Sequence, residues 1–335
     1  MTEESLEEAA RQIPNMIHPD VPLGKLDTEN LEVKKVGVPR KFDFEPMDHV
    51  RLGEELELFD FDRGTKVSGP KFYYLKNEAV FLEQALIQYA LNTLRRHGFE
   101  IFITPDVARE EVLRGIGFNP RGNESNVYSI EDEGTCLVAT AEITLGGYHS
   151  GEILEKEKLP LLYGGLSHCF RREAGAAGQF SKGLYRVHQF DKVEIVRIDT
   201  PEHSYQSWQE MLDHVEGLLK KLELPYHLLL LCGGDMSFTS SICVDFETYS
   251  AAQHRWLEVS SVSNFESYQA NRLHCRYRHA EDKKIELCHT LNGSALALPR
   301  IVATILENNQ TPQGIRVPRV LVPYCGFEYL DDKND

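Results

Sequence analysis

The chain has 335 residues, 41% of them hydrophobic, enough to bury the core of one large domain. A formal net charge of −16 argues against broad nucleic-acid binding, which depends on Lys and Arg neutralising phosphates, and leaves only local basic patches for anions. Seven cysteines, an odd number without any CxxC pair, fit reduced core thiols better than a disulfide framework or a zinc site.

The opening MTEESLEEAARQIPN is acidic, with neither the basic start nor the apolar core of a secretory signal or transit peptide. Helical spacing of Leu6, Ala9, Ala10 and Ile13 predicts a short helix over residues 2–13. A proline-punctuated lead-in follows and ends in a short helix near His49 to Leu58. From Asn77 to His97, Leu82, Ala85, Leu86, Tyr89, Ala90 and Leu94 share one face of a long amphipathic helix. FEIFITPDV then alternates as an edge or terminal strand stopped by Pro105.

Strand signals recur at TCLVATAEITL, LLYGGLSHCFRRE, YRVHQFDKVEIVRI, CVDFETYSA, HRWLEVSSVSNF and IELCHTLNGS, with helical runs at 201–223 and 297–309. HLLLLC at 227–232 is the densest apolar run and is too short to span a membrane, so a cytoplasmic location is expected. This order predicts an α+β fold, an antiparallel sheet backed by helices. The absence of GxGxxG and GxxxxGK[ST] sets aside Rossmann and P-loop readings.

In this acidic chain, residues 170–194 read FRREAGAAGQFSKGLYRVHQFDKVE and gather Arg171, Arg172, Lys182, Arg186 and Lys192. If 184–194 is a strand, alternation puts Arg186, His188, Phe190, Lys192 and Glu194 on one face, and the preceding strand presents Cys169, Arg171 and Glu173. Such a face suits an anionic ligand with a flat ring, because guanidinium forks grip phosphate and a Phe offers a stacking surface. On pattern alone, a solvated face of cross-strand ion pairs is the more usual explanation of such alternation. Near the end, HTLNGSALALPRIVATILENNQ passes from a strand through small residues into a helix, with Pro299 and Arg300 in its first turn.

These stretches resemble the motifs of class II aminoacyl-tRNA synthetases in their seryl form. FRREAG with GLYRVHQFDKVE is similar to motif 2, LNGSALALPR with ILENNQ to motif 3, and the long helix ending in ITPDV to motif 1. The TAE triplet at 140–142, EVSSVSN at 258–264 and FESYQANRL at 265–273 match the seryl pattern in order, and the similarity runs from IPNMIHPDVPLG to VPYCG. The resemblance implies a lead-in over residues 1–20 and a class II catalytic domain over 21–335. It implies ATP-dependent activation of serine to seryl-adenylate, then transfer to tRNA, by a homodimer formed through the motif 1 helix and strand. Carried over by position, Arg171 would hold the α-phosphate and the substrate carboxylate, and Glu173 would accept from the adenine amino group. Phe190 would stack on adenine, with Arg300 on the opposite face or at the γ-phosphate. Arg186 would take the pyrophosphate end, and Glu258 and Ser261 would coordinate Mg²⁺ or phosphate. Thr140, Glu142 and Glu194 would surround the ammonium and side chain of serine, and Asn292 and Ser294 the hydroxyl. His188 and Cys169 read as structural residues.

Two departures bear on the acceptor. Seryl enzymes of the usual kind begin with a long coiled-coil arm, whereas about a dozen residues of helical pattern precede IPN, so the arm is expected to be absent. The loop AGAAGQFSKG also lacks the Arg and Asp common where family members meet the tRNA acceptor end. Three readings follow: a seryl-tRNA synthetase catalytic domain, a stand-alone serine-activating paralogue that acylates a carrier-protein thiol or a small amine, and a non-catalytic binding relative. Retention of Arg171, Glu173, Arg186, Phe190, Glu258 and Arg300 weighs against the third.

Overall fold

A computed structural model describes Leu6, Ala9, Ala10 and residues 12–118, 126–173 and 182–331. Most of the helix expected over residues 2–13, and residues 174–181 of the AGAAGQFSKG loop, lie outside the described residues. The chain builds one eight-stranded sheet from β1 (Leu31–Val36), β2 (Glu100–Ile103), β3 (Leu161–Phe170), β4 (Gln189–Asp199), β5 (Tyr226–Leu230), β6 (Ile242–Ser250), β7 (Arg255–Asn264) and β8 (His289–Ala297). Their order is β1-β5-β6-β7-β8-β4-β3-β2. Every neighbouring pair is antiparallel except β2–β3, which runs parallel at the edge where Pro105 prevents extension. This is the expected α+β architecture.

The helices that bear on the site are α1 (His49–Glu55), α2 (Asn77–Arg96), α3 (Ala141–Gly146), α4 (Ser204–Lys221), α5 (Tyr268–Leu273) and α6 (Leu298–Asn308). The expected apolar face of α2 is buried along its length, from Leu82 to Leu94, and packs with α4 and α6 into the main core. Gly98 follows the helix with φ 86°, a left-handed conformation that lets the chain reverse into β2.

Strand β4 shows how the sheet divides its faces. Val193 and Ile195 point into the helical core. Val196 and Ile198 point the other way and are covered by α3 and the segment around α5, with Ala141, Leu145 and Ala270 in the same cluster. Phe190, Lys192 and Glu194 share the parity of Val196 and Ile198. One face of one strand is therefore apolar where helices cover it and charged where they stop, and the cleft opens there.

Several elements differ from expectation. TCLVATAEITL is not one strand: Thr135–Leu137 is extended, and Thr140 then caps α3, its hydroxyl accepting from the Glu142 N–H at 3.2 Å. The strand expected from Tyr185 begins at Gln189, because Gly183–Tyr185 forms a 3₁₀ turn with Gly183 at φ 62°. His188 therefore leaves the face of Phe190; its ring nitrogen meets the Tyr128 hydroxyl and its N–H donates to the Lys71 carbonyl. HLLLLC supplies β5, inside the sheet between β1 and β6. None of the seven cysteines forms a disulfide, and six are buried. Among the described residues no helix is long and apolar enough to cross a membrane.

Candidate functional site

Two adjoining hollows open on the charged half of the sheet face. The first, of about 520 Å³, is lined by Arg171, Glu173, Arg186, Phe190, Glu258 and Arg300 together with the Leu184–Val187 turn. The second, of about 1060 Å³, is lined by Thr140, Glu142, Ser261, Asn292 and Ser294, and by Asp245, Thr239 and Ser263. Arg171, Lys192, Glu258 and Ser294 belong to both walls. A ligand in one hollow would therefore meet a ligand in the other at these four residues. Glu194 has no exposed surface and lies beneath Asn292 and Ser294, which bond to it.

The positions of the arginines follow from the strands that carry them. β3 ends at Phe170, and the Arg171 N–H still donates to the His188 carbonyl at 2.9 Å, which keeps Arg171 in step with β4. Its guanidinium carbon lies 5.3 Å from the Phe190 ring centre, and its Nε donates to the Ala139 carbonyl at 3.4 Å. Arg186, which follows the 3₁₀ turn, donates to Glu173 at 3.0 Å. Arg300 comes from the first turn of α6; its Nε donates to the Tyr185 carbonyl at 3.2 Å and its Nη1 to the Glu258 carbonyl at 2.7 Å. The Glu258 carboxylate lies 3.4 Å from the same guanidinium. Crowding by neighbours removes some of its hydration although it is half-exposed, and the guanidiniums of Arg300 and Arg171 outweigh that, so its pKa is lowered. Asp245, across β6 and β7 beside Ser261, has no such compensation: burial and then the Glu258 charge push it up to about 8. Near neutral pH Asp245 therefore keeps a proton that a bound cation would displace, and the two carboxyl groups and the hydroxyl offer oxygen ligands of the kind a hard cation takes. Among the described residues no group of three or more His, Cys, Asp or Glu side chains could hold a metal alone.

The second hollow is built on a chain of hydrogen bonds. The Thr290 hydroxyl donates to Gln269 at 2.7 Å, and the Gln269 amide donates to Glu142 at 2.8 Å. The Asn292 amide donates to Glu142 at 2.8 Å and to Glu194 at 3.0 Å, holding two carboxylates side by side. The Ser294 hydroxyl donates to Glu194 at 3.3 Å, and the Lys192 ammonium pairs with the same carboxylate. Burial, and then the charge of Glu194, push Glu142 up to about 7. The hollow thus presents a carboxylate that changes charge near neutrality, amide and hydroxyl groups, and the Arg171 cation. That set fits a small zwitterion with a polar side chain.

Three residues that complete this arrangement had no role in the sequence reading. Gln269 lies inside FESYQANRL, so its stretch was marked although the residue was not. Lys192 was placed on the correct face, and its pairing two residues along with Glu194 follows from strand periodicity. Asp245 sits in CVDFETYSA, where Asp245 and Glu247 alternate with apolar residues and nothing local singles out the first. Lys192 is 6% exposed and Glu194 fully buried. Replacing Lys192 by Met strands a buried carboxylate, so urea unfolding is expected to show a loss of about 3–5 kcal/mol, much of it recovered in Lys192→Met/Glu194→Gln. An unchanged midpoint would contradict the pairing.

The comparisons agree with one another. Residues 127–309 match the model of the tRNA synthetase class II core domain (G, H, P, S and T). The serine–tRNA ligase of Treponema denticola is 59% identical over 331 residues, spanning 98% of this chain and 78% of that protein. That of Borreliella burgdorferi is 49% identical over 328 residues, 97% of this chain and 77% of the relative. Among solved structures, seryl-tRNA synthetase from Pyrococcus horikoshii complexed with ATP superposes with a TM-score of 0.95 at 38% identity, over 98% of this chain and 78% of that one. Cytoplasmic serine–tRNA ligase from Naegleria fowleri in complex with AMP gives 0.92 at 30% identity, over 99% and 79%. On its fold, its paired hollows and these likenesses, the chain belongs to the class II aminoacyl-tRNA synthetases, in the seryl-tRNA synthetase family.

Proposed function

We propose that the protein joins serine to the α-phosphate of ATP, releasing pyrophosphate, and then esterifies the 3′ end of tRNA with the activated serine. The observation that carries this reading is the position of Arg171, on the shared wall of a ring-and-guanidinium hollow and a carboxylate-and-amide hollow. Adenine lies on Phe190 with Arg300 across it, its amino group donating to Glu173. In the structure Arg186 holds Glu173, so a bound base takes over that carboxylate and frees Arg186 to reach the triphosphate. Serine lies in the second hollow, its ammonium toward Glu142, above Thr140 and the buried Glu194, and its hydroxyl toward Asn292 and Ser294.

The serine carboxylate is ionised at neutral pH and attacks phosphorus directly, so no base is needed. One carboxylate oxygen bonds to the α-phosphorus, and the bond from that phosphorus to the bridging oxygen of pyrophosphate breaks. Negative charge builds on the phosphoryl oxygens beside Arg171 and on the leaving group beside Arg186 and Arg300, where preplaced guanidiniums stabilise it without reorganisation. Glu258, Ser261 and Asp245 would hold Mg²⁺, which would displace the proton Asp245 keeps near neutral pH; bound there, the ion would neutralise phosphate charge. Alanine is rejected because the polar groups around the hydroxyl would be left unpaired, and threonine by its extra methyl.

The same reading takes the active form as a homodimer in the cytoplasm. Phe81 of α2 and Ile103 of β2 are 58% and 82% exposed, an apolar surface on the elements expected to pair.

Serine-dependent exchange of labelled pyrophosphate into ATP tests the first step. Arg171→Ala is expected to lower exchange at least about 100-fold, and absence of exchange in the unaltered protein with serine overturns the proposal. Labelled serine should then appear on tRNA; its appearance on a carrier-protein thiol instead would move the second step to that acceptor.

Glu142 supplies a pH signature. Its pKa is raised to about 7, so it is neutral below that pH and charged above it. The KM for serine should fall as pH rises from 6 to 8, and Glu142→Gln should flatten that dependence. A profile identical in the two proteins would remove Glu142 from the ammonium site.

A further inference from the structure

Behind the nucleotide hollow lies a polar network that none of the roles above uses. Its centre is Glu307, a fully buried carboxylate on α6 about two turns beyond Arg300. It accepts from His49 Nδ1 at 2.8 Å, from the His49 backbone N–H at 3.2 Å, from the Tyr185 hydroxyl at 2.6 Å and from the Ser250 hydroxyl. These four donors converge on it and offset the cost of burying its charge. On the other side of the imidazole, Nε2 meets the backbone N–H of Leu184 at 2.9 Å. An amide N–H can only donate, so Nε2 keeps its lone pair and the ring proton sits on Nδ1, facing the carboxylate.

The ring joins two elements that each deliver an arginine to the hollow. Leu184 and Tyr185 form the turn immediately before Arg186, and the Tyr185 carbonyl accepts from Arg300 Nε at 3.2 Å. The Tyr185 ring packs edge-on to His49 with centroids 4.5 Å apart. The turn approaches so closely that a Cβ on Gly183 would lie 2.2 Å from His49 Nε2, and Gly183 has φ 62°. His49 is 1% exposed, which leaves the bridge to the ring itself. The nearby Lys182–Asp48 pair at 3.1 Å is largely exposed and adds little.

We infer that His49 is a positioning residue for the ATP triphosphate: as a neutral ring bridging Glu307 and the Leu184 N–H, it sets the spacing between Arg186 and Arg300. This rests on the ATP-dependent reading above. A buried polar cluster that served only to stabilise the fold would not single out the nucleotide, and that difference gives the test.

Two substitutions in the whole chain separate the ring's two bonds. His49→Asn keeps a donor for Glu307 and has no acceptor for the Leu184 N–H, whereas the longer side chain of His49→Gln can bring its carbonyl oxygen to that N–H. In serine-dependent exchange, His49→Asn is expected to raise the KM for ATP about tenfold, the weight of one lost hydrogen bond, with the KM for serine unchanged. His49→Gln is expected to recover most of the ATP affinity. An ATP KM unchanged in His49→Asn, or ATP and serine KM values rising together, overturns the inference. Nitrogen-15 spectra of histidine-labelled unaltered protein decide the same point without a variant, with His49 assigned through its contacts to the Tyr185 ring. The Nδ1–H tautomer is expected, and an Nε2–H tautomer or an imidazolium overturns the bridge. Absence of exchange in the unaltered protein would count against the ATP-dependent reading, leaving the tautomer to decide the bridge.

Discussion

A carboxylate with no access to water must be neutralised where it stands, and Glu194 is such a group on an inner strand of the widest sheet. Lys192 supplies the charge, Asn292 and Ser294 supply the hydrogen bonds, and all come from two adjacent strands in fixed register. Because Asn292 also holds Glu142, and Gln269 holds Glu142 from the other side, the buried pair fixes the wall of the second hollow. The cost of removing Glu194 from water is offset only while every member is present. The floor of the hollow is rigid for that reason, and its lining can be polar without being mobile.

The nucleotide hollow is organised differently. Its cations are tied to backbone carbonyls and carboxylates at its rim: Arg171 to Ala139, Arg300 to Tyr185 and Glu258, and Arg186 to Glu173. These bonds hold the guanidiniums near the places where phosphate would lie, and several can be exchanged for bonds to a ligand. The net acidity of the chain does not conflict with an anion site, because the cations are concentrated where two strands and one helix end converge. The His49–Glu307 network extends this organisation outward, so that a residue from the lead-in helps aim two arginines far from it in sequence.

Much of the frame was legible in residue order alone. The α2 face was readable because six apolar residues from Leu82 to Leu94 kept helical spacing, and the β2 edge because proline closes a ladder. The charged face of β4 could be read as far back as Phe190, where strand periodicity holds; before Gln189 the Gly183 turn replaces the strand, and Arg186 reaches the same hollow from that turn instead. Thr140 was found by its resemblance and misplaced in a strand, since its role as a helix cap depends on the chain turning after Ala139. Gln269 and His49 act through Glu142 and Glu307, far away in sequence, and Asp245 meets Glu258 across two consecutive strands. Local pattern holds no trace of such pairings, which exist only once the sheet is assembled.

Central to this account is Arg171 as the common wall between nucleotide and amino acid. The most direct measurement is a crystal structure of the chain bound to a non-hydrolysable analogue of seryl-adenylate. The account predicts adenine between Phe190 and Arg300, the phosphate surrogate bonded to Arg171, and the serine ammonium facing Glu142. An analogue bound with its base away from Phe190, or with Arg171 turned out of both hollows, would contradict it.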